Sequence, residues 1–420
     1  MNNKKNKIYT NVLLGSLVLY FCWISFYGAS ILIIHHGNNF QLANPDTPIW
    51  LKVIDELILL FILFLLGLLY KLKIAYKKLG INFYLIIFPL CLLSFFQFLS
   101  YIYTTDFKYL LLCKNSISAI LVTWILFSIN NLNLLKKVIK FLLFILSLSI
   151  SVGLLHYLIF PYQVYGDRLI GTYANPNVLG YVCFFGIALG HYSWDRGNNN
   201  AKFAIGIFAI GASASGSLSS LLVILLYLTL NLIFLSIQKF NSQRTKVNMR
   251  IITSTILIFI FGGLLNHIFI QNNLIKDLNY KITNIFSAIT GNSIVDADTV
   301  IKRLDLLSNF NHESPRALDF VLPYFQSDSS LYNLFKNYPL IFFYIFVFSF
   351  SLSLCYKFLL KKEHLARLSG NPMIYFIFFS VFPFSFVQYV LEEIPSIILF
   401  YFAYTLLVID FYSIKEIKKL

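Results

Sequence analysis

Apolar positions in this chain come in long unbroken runs. Each run is close to 20 residues, the length an α-helix needs to cross an apolar layer of about 30 Å at 1.5 Å per residue. Helices are predicted at about 11–35, 53–70, 82–103, 109–129, 138–160, 177–194, 202–216, 217–238, 250–271, 338–358, 373–390 and 395–412. Most polar stretches between them are short. One is long, from Gln271 to Ser330, and it keeps helical spacing of its own. Leu274, Leu278, Ile282, Ile285 and Ile289 recur at helix period, predicting an amphipathic helix over 274–290 that lies on a membrane surface. Asp298 and Thr299 open a second, with Val300, Leu304 and Leu307 on one face, and Ser314-Pro315 is a cap and first-turn pair. The pattern predicts an all-α polytopic membrane protein of about 12 transmembrane helices with one long, partly helical loop on the outer face. The divisions are residues 1–271 (nine helices), 272–330 (the loop) and 331–420 (three helices).

Composition narrows the solvent to lipid. Hydrophobic residues make up 58% of the 420 and charged residues 12%, with a mean hydropathy of +0.74. A soluble domain carries about 25% charged residues, and half that number does not cover a water-facing surface. The net charge of +15 is a topology signal rather than a nucleic-acid footprint. The odd-numbered gaps, counted from the N-terminus, hold 23 of the 33 basic residues with only four acids, a net of +19. The even-numbered gaps hold ten basic residues and 14 acids, a net of −4. Cytoplasmic loops collect Lys and Arg, so both termini are expected inside. The first apolar run follows Lys4, Lys5 and Lys7 but is too long for a cleaved leader, and reads as a retained signal anchor. Cys22, Cys91, Cys113, Cys183 and Cys355 lie in or at the ends of apolar runs, without disulfide or metal spacing.

Three outer-face segments carry candidate chemistry. Asn175 and Pro176 suit a helix cap and first position, and Asn177 follows in the first turn. A helix N-terminus presents free N–H groups and a partial positive charge to an anion, and the Arg168 guanidinium is shaped for phosphate oxygens. The plain alternative is a cap, with Arg168 paired to Asp167. The loop holds Lys302, Arg303, Asp305, His312, Glu313, Arg316 and Asp319, either an anion site with a base or a solvated surface. Asp328 is either an N-cap of the tenth helix or a base. Gly186 and Gly190 form a GxxxG pair suited to helix packing. Lys114 is placed to snorkel and His156 to be interfacial, while His35 and His36 lack a third metal ligand. Asp55 and Glu56 favour the start of the second helix, with Asp55 a candidate for an inner cavity.

The run Arg168-Leu169-Ile170-Gly171-Thr172-Tyr173-Ala174-Asn175-Pro176-Asn177-Val178-Leu179-Gly180 resembles the R-x-x-G-x-x-x-N-P-N-x-L signature of the O-antigen polymerase and ligase superfamily. Ser213-Ala214-Ser215-Gly216-Ser217 falls where that family turns sharply between two helices. The long loop and a D-x-x-L-Y-x-L stretch, Asp328 to Leu334, follow in the same order. The resemblance covers Arg168 to about Ser351. It departs in three places. No arginine lies between 203 and 243, Ser327-Asp328-Ser329-Ser330 stands where ligases carry a histidine, and Pro339 replaces a glycine. The resemblance implies a polysaccharide polymerase in the bacterial inner membrane, with its active site on the outer face. Its donor would be an undecaprenyl-pyrophosphate-linked oligosaccharide, transferred to a second lipid-linked unit by a single inverting displacement that needs no metal or other cofactor. Arg168, Arg303 and Arg316, with Asn175 and Asn177, would hold the pyrophosphate, and His312 or Asp328 would be the base. Membrane lipid and a chain-length regulator are the implied partners, and nucleic acid is not. A ligase of the same superfamily and a lipid-linked oligosaccharide flippase are the alternatives.

Overall fold

The structure, a computed structural model, describes residues 2–34, 49–70, 81–129, 132–159, 172–173, 176–237, 255–256, 371–381 and 394–417. Among the described residues every regular element is helical: α1 (Asn2–Ile34), α2 (Ile49–Tyr70), α3 (Ile81–Thr104), α4 (Phe107–Ser128), α5 (Leu132–Ile159), α6 (Pro176–Trp194), α7 (Ala201–Ser215), α8 (Leu218–Ile237), α9 (Pro372–Phe379) and α10 (Ser396–Ile417). Each predicted helix that falls on these residues is present. The expected helices at 338–358 and over most of 250–271, and the whole loop 272–330, lie outside the described residues.

The helix ends differ from the hydropathy reading in a consistent way. α1 starts at Asn2 rather than about 11, α5 at Leu132 rather than about 138, and α10 runs to Ile417 rather than about 412. Lysines lie in all three extensions. They end an apolar run but are good helix formers, so the helix continues where the hydropathy stops. At α4 the start is set by a cap. Asp106 accepts a hydrogen bond from the Lys108 N–H at 2.9 Å, so the helix begins at Phe107. Thr105 reverses the chain between α3 and α4 with a left-handed φ of 55°. Asn371 caps α9 in the same manner, accepting from the Met373 N–H at 3.0 Å with Pro372 in the first turn.

α6 is the hub. From Leu179 to Ser193 every residue is buried, and α5, α7, α8, α9 and α10 all pack against it. The glycine pair predicted to pack does so. A Cβ on Gly186 would stand 2.6 Å from ring carbons of Phe208, and one on Gly190 would stand 2.5 Å from Cγ1 of Ile205, both on α7. Two bare patches on α6 thus seat two large side chains of α7, as small-residue helix interfaces do. Aromatic rings bind the remaining faces. Phe376 of α9 packs 5.1 Å from both Phe184 and Phe185, and Phe402 of α10 links Phe185 at 6.1 Å to Phe21 of α1 at 5.9 Å.

Polarity is distributed inside out. The outward side of α2 carries Leu57, Leu60, Phe61, Phe64 and Leu68, all exposed. The interface between α3 and α4 instead buries Ser94, Gln97 and Ser116, with the Ser116 hydroxyl donating to Gln97 Oε1 at 2.9 Å. Ile86–Thr104, Phe107–Ser128 and Asn133–Leu155 are long and apolar enough to cross a membrane. An apolar exterior over a partly polar interior is what lipid as solvent selects.

Gly186→Ala is expected to lose about 1–3 kcal/mol of stability by overpacking against Phe208. Gly15→Ala, with nothing within 4 Å, is expected to hold or slightly raise stability. Thermal unfolding of the two detergent-solubilised variants tests the contrast.

Candidate functional site

Two polar clusters lie on the hub helix, one toward each end. The first forms at its N-terminus. α6 starts at Pro176, as the sequence predicts, and Asn177 is half-buried in its first turn. Upstream, Thr172 and Tyr173 are buried. The Thr172 hydroxyl donates to the Ser25 carbonyl of α1 at 2.5 Å, and the Tyr173 hydroxyl shares a 3.1 Å hydrogen bond with Ser149 of α5. The approach to α6 is therefore pinned to two other helices.

The serine-rich turn meets this end of α6. α7 ends at Ser215, Gly216 takes the left-handed φ of 58° that favours glycine, and α8 starts at Leu218. The turn is buried, with Ser215 0% and Ser217 1% exposed. Ser215 Oγ accepts from the Ser217 N–H at 3.3 Å, and the Ser220 hydroxyl donates to Ser217 Oγ at 3.0 Å. Gly180, one turn into α6, lies directly against Ser220, and a Cβ there would be 3.3 Å from that of Ser217. Two parts of the family resemblance, the stretch Asn177–Gly180 and the serine turn, are therefore neighbours.

Electrostatics follow from this meeting. α6 and α8 begin side by side, and neither has an acid in its first turn. The N-terminal N–H groups and the positive dipole ends of both helices thus share one end of the bundle, with no carboxylate from their own first turns to offset them. Such an arrangement favours an anion.

Of the predicted site residues only Asn177 is placed. Arg168, Asn175, Arg303, His312, Arg316 and Asp328 lie outside the described residues, as do His35, His36 and the side chains of Asp55, Glu56 and His156. Lys114 is half-buried in the second turn of α4, next to buried Asn115. Cys22, Cys91, Cys113 and Cys183 are free thiols.

The second cluster lies toward the other end of α6, and sequence reasoning missed it. His191 is 7% exposed, and its Nδ1 pairs with the Tyr227 hydroxyl of α8 at 2.8 Å. The rings stack at 5.8 Å, and Nε2 of His191 is buried without a hydrogen-bond partner among the described residues. Asn231 donates to the Tyr227 carbonyl at 2.9 Å, and Tyr375 of α9 meets the Tyr227 ring edge-on at 6.1 Å. The available signal was a histidine inside an apolar run, since an ionisable residue at membrane depth implies a partner on another helix.

The fold and the polar interior define the class: a helical membrane protein. Comparison of the chain with family models, curated proteins and solved structures finds no match.

Tyr227→Phe and His191→Phe are each expected to cost about 1–3 kcal/mol, because each strands a buried polar partner. The double variant should cost less than the two singles together, by about 0.5–3 kcal/mol of coupling. Additive losses in a thermal double-mutant cycle would remove the hydrogen bond from the account.

Proposed function

We propose that this protein is a polysaccharide polymerase of the bacterial inner membrane, joining lipid-linked repeat units on its outer face. The observation that supports the reading is the meeting of Gly180 with Ser217 and Ser220. It brings the Pro176–Gly180 stretch and the serine turn, two parts of the superfamily resemblance, to one end of the bundle. There the positive ends of α6 and α8 lie together, which suits a pyrophosphate.

The full arrangement belongs to this proposal. Twelve helices cross the membrane with both termini inside, and residues 272–330 form an outer cap. Arg168, Arg303 and Arg316 neutralise the pyrophosphate of the donor, and Asn175 and Asn177 help to hold it. His312 or Asp328 accepts the proton of the attacking sugar hydroxyl. Attack on the anomeric carbon breaks its bond to the pyrophosphate oxygen, and the lipid pyrophosphate departs with the bonding pair. That leaving group is already good, so positioning and charge stabilisation carry the catalysis. A single displacement inverts the anomeric centre.

Deletion of the gene in its native host is expected to collapse the surface-polysaccharide ladder to core plus one repeat unit. Loss of every repeat from the core, with long lipid-linked polymer accumulating, would mean ligation instead. An unchanged ladder would remove the surface-polysaccharide reading. Arg168→Ala and Arg303→Ala should each abolish polymer at normal protein levels, and full-length polymer from both would overturn their assignment.

A further inference from the structure

The first turns of α5 carry charge that no described residue answers. Lys136, Lys137 and Lys140 are exposed, while Leu135, Val138 and Ile139 beside them are buried. α5 has no acid in its first turn, and none of the three lysines has an ion-pair partner among the described residues. They also lie near the positive end of the helix dipole, so the fixed partial charge adds to theirs. The exposed stripe continues past the charge as Phe141, Phe144 and Leu148, on the same side of the helix at its 3.6-residue period. From Lys140 to Leu148 is about 12 Å along the axis, close to the depth of one leaflet's hydrocarbon, about 15 Å.

A positive patch that leads directly into an apolar stripe of one leaflet's depth matches a molecule with an anionic head and an acyl tail. A free anion would use only the lysines, and a neutral lipid only the stripe. Lysine suits this role because its ammonium is a mobile point charge that follows a phosphate without demanding one geometry. We propose that this face of α5 is a binding site for an anionic phospholipid. Lys136, Lys137 and Lys140 hold its phosphodiester, and an acyl chain lies along Phe141, Phe144 and Leu148. The site is independent of the polymerase reading.

The test uses the full-length protein in nanodiscs of phosphatidylcholine, alone or mixed with phosphatidylglycerol. Phosphatidylglycerol is expected to raise the unfolding temperature of the wild type by roughly 2–4 °C, an effect that shrinks in high salt. K136Q/K137Q/K140Q should unfold at the wild-type temperature in phosphatidylcholine and lose the rise. The same rise in the variant, or none in the wild type, overturns the proposal. Should the triple variant be unstable in phosphatidylcholine, native mass spectrometry of K137Q decides. Fewer retained phosphatidylglycerol molecules than on the wild type support the site, and an equal number overturns it.

Discussion

Close approach between α6 and its neighbours is the constraint on which the structure depends. Lipid tails are as apolar as leucine, so burying an apolar helix face in a bilayer gains little of what drives folding in water. What remains is contact, and contact depends on fit. α6 supplies it by leaving out side chains where α7 and α8 press closest, against Phe208, Ile205 and Ser220. Five helices can then surround it. The aromatic links from Phe21 through Phe402 and Phe185 to Phe376 extend the same logic outward, joining α1, α10, α6 and α9 through edge-on rings.

Several hydrogen bonds between helices lie where two helices must keep register. Ser116 with Gln97 ties α4 to α3, Tyr173 with Ser149 ties the approach of α6 to α5, and Tyr181, donating to Ser380 at 3.0 Å, ties α6 to the C-cap of α9. His191 with Tyr227 ties α6 to α8. The hub is thus held at its N-terminal end, its middle and its C-terminal end by side chains that have no water to turn to. Such bonds contribute modestly to stability, but mispairing leaves a polar atom in hydrocarbon, and that cost favours one arrangement.

The sequence made the helices legible because hydropathy and length both report the thickness of the bilayer. It misplaced their ends because lysine belongs in a helix but not in lipid, so α5 begins before Lys136 and α1 before Lys4. The GxxxG pair was legible as packing, since a six-atom ring needs the gap that glycine leaves. The serine turn was legible as a helix boundary and as part of the family resemblance, and Gly216 makes it with a positive φ. The neighbourhood of Gly180 with Ser220 was not legible from spacing alone: it depends on α7 crossing back to the same end of α6. His191 and Tyr227 stand 36 residues apart and meet only because α6 and α8 lie together. Of the candidate site residues, Asn177 alone falls where the structure speaks, in the first turn of α6.

α7 has 15 residues, and that length sets a depth. It rises from a polar hairpin whose Arg196, Asn199 and Asn200 are exposed, and it spans about 22 Å of an apolar layer near 30 Å. If the hairpin rides at one membrane surface, the serine turn stops short of the other by several ångström. The turn, its serines buried, then sits below the headgroups, and the bilayer beside it thins to meet it.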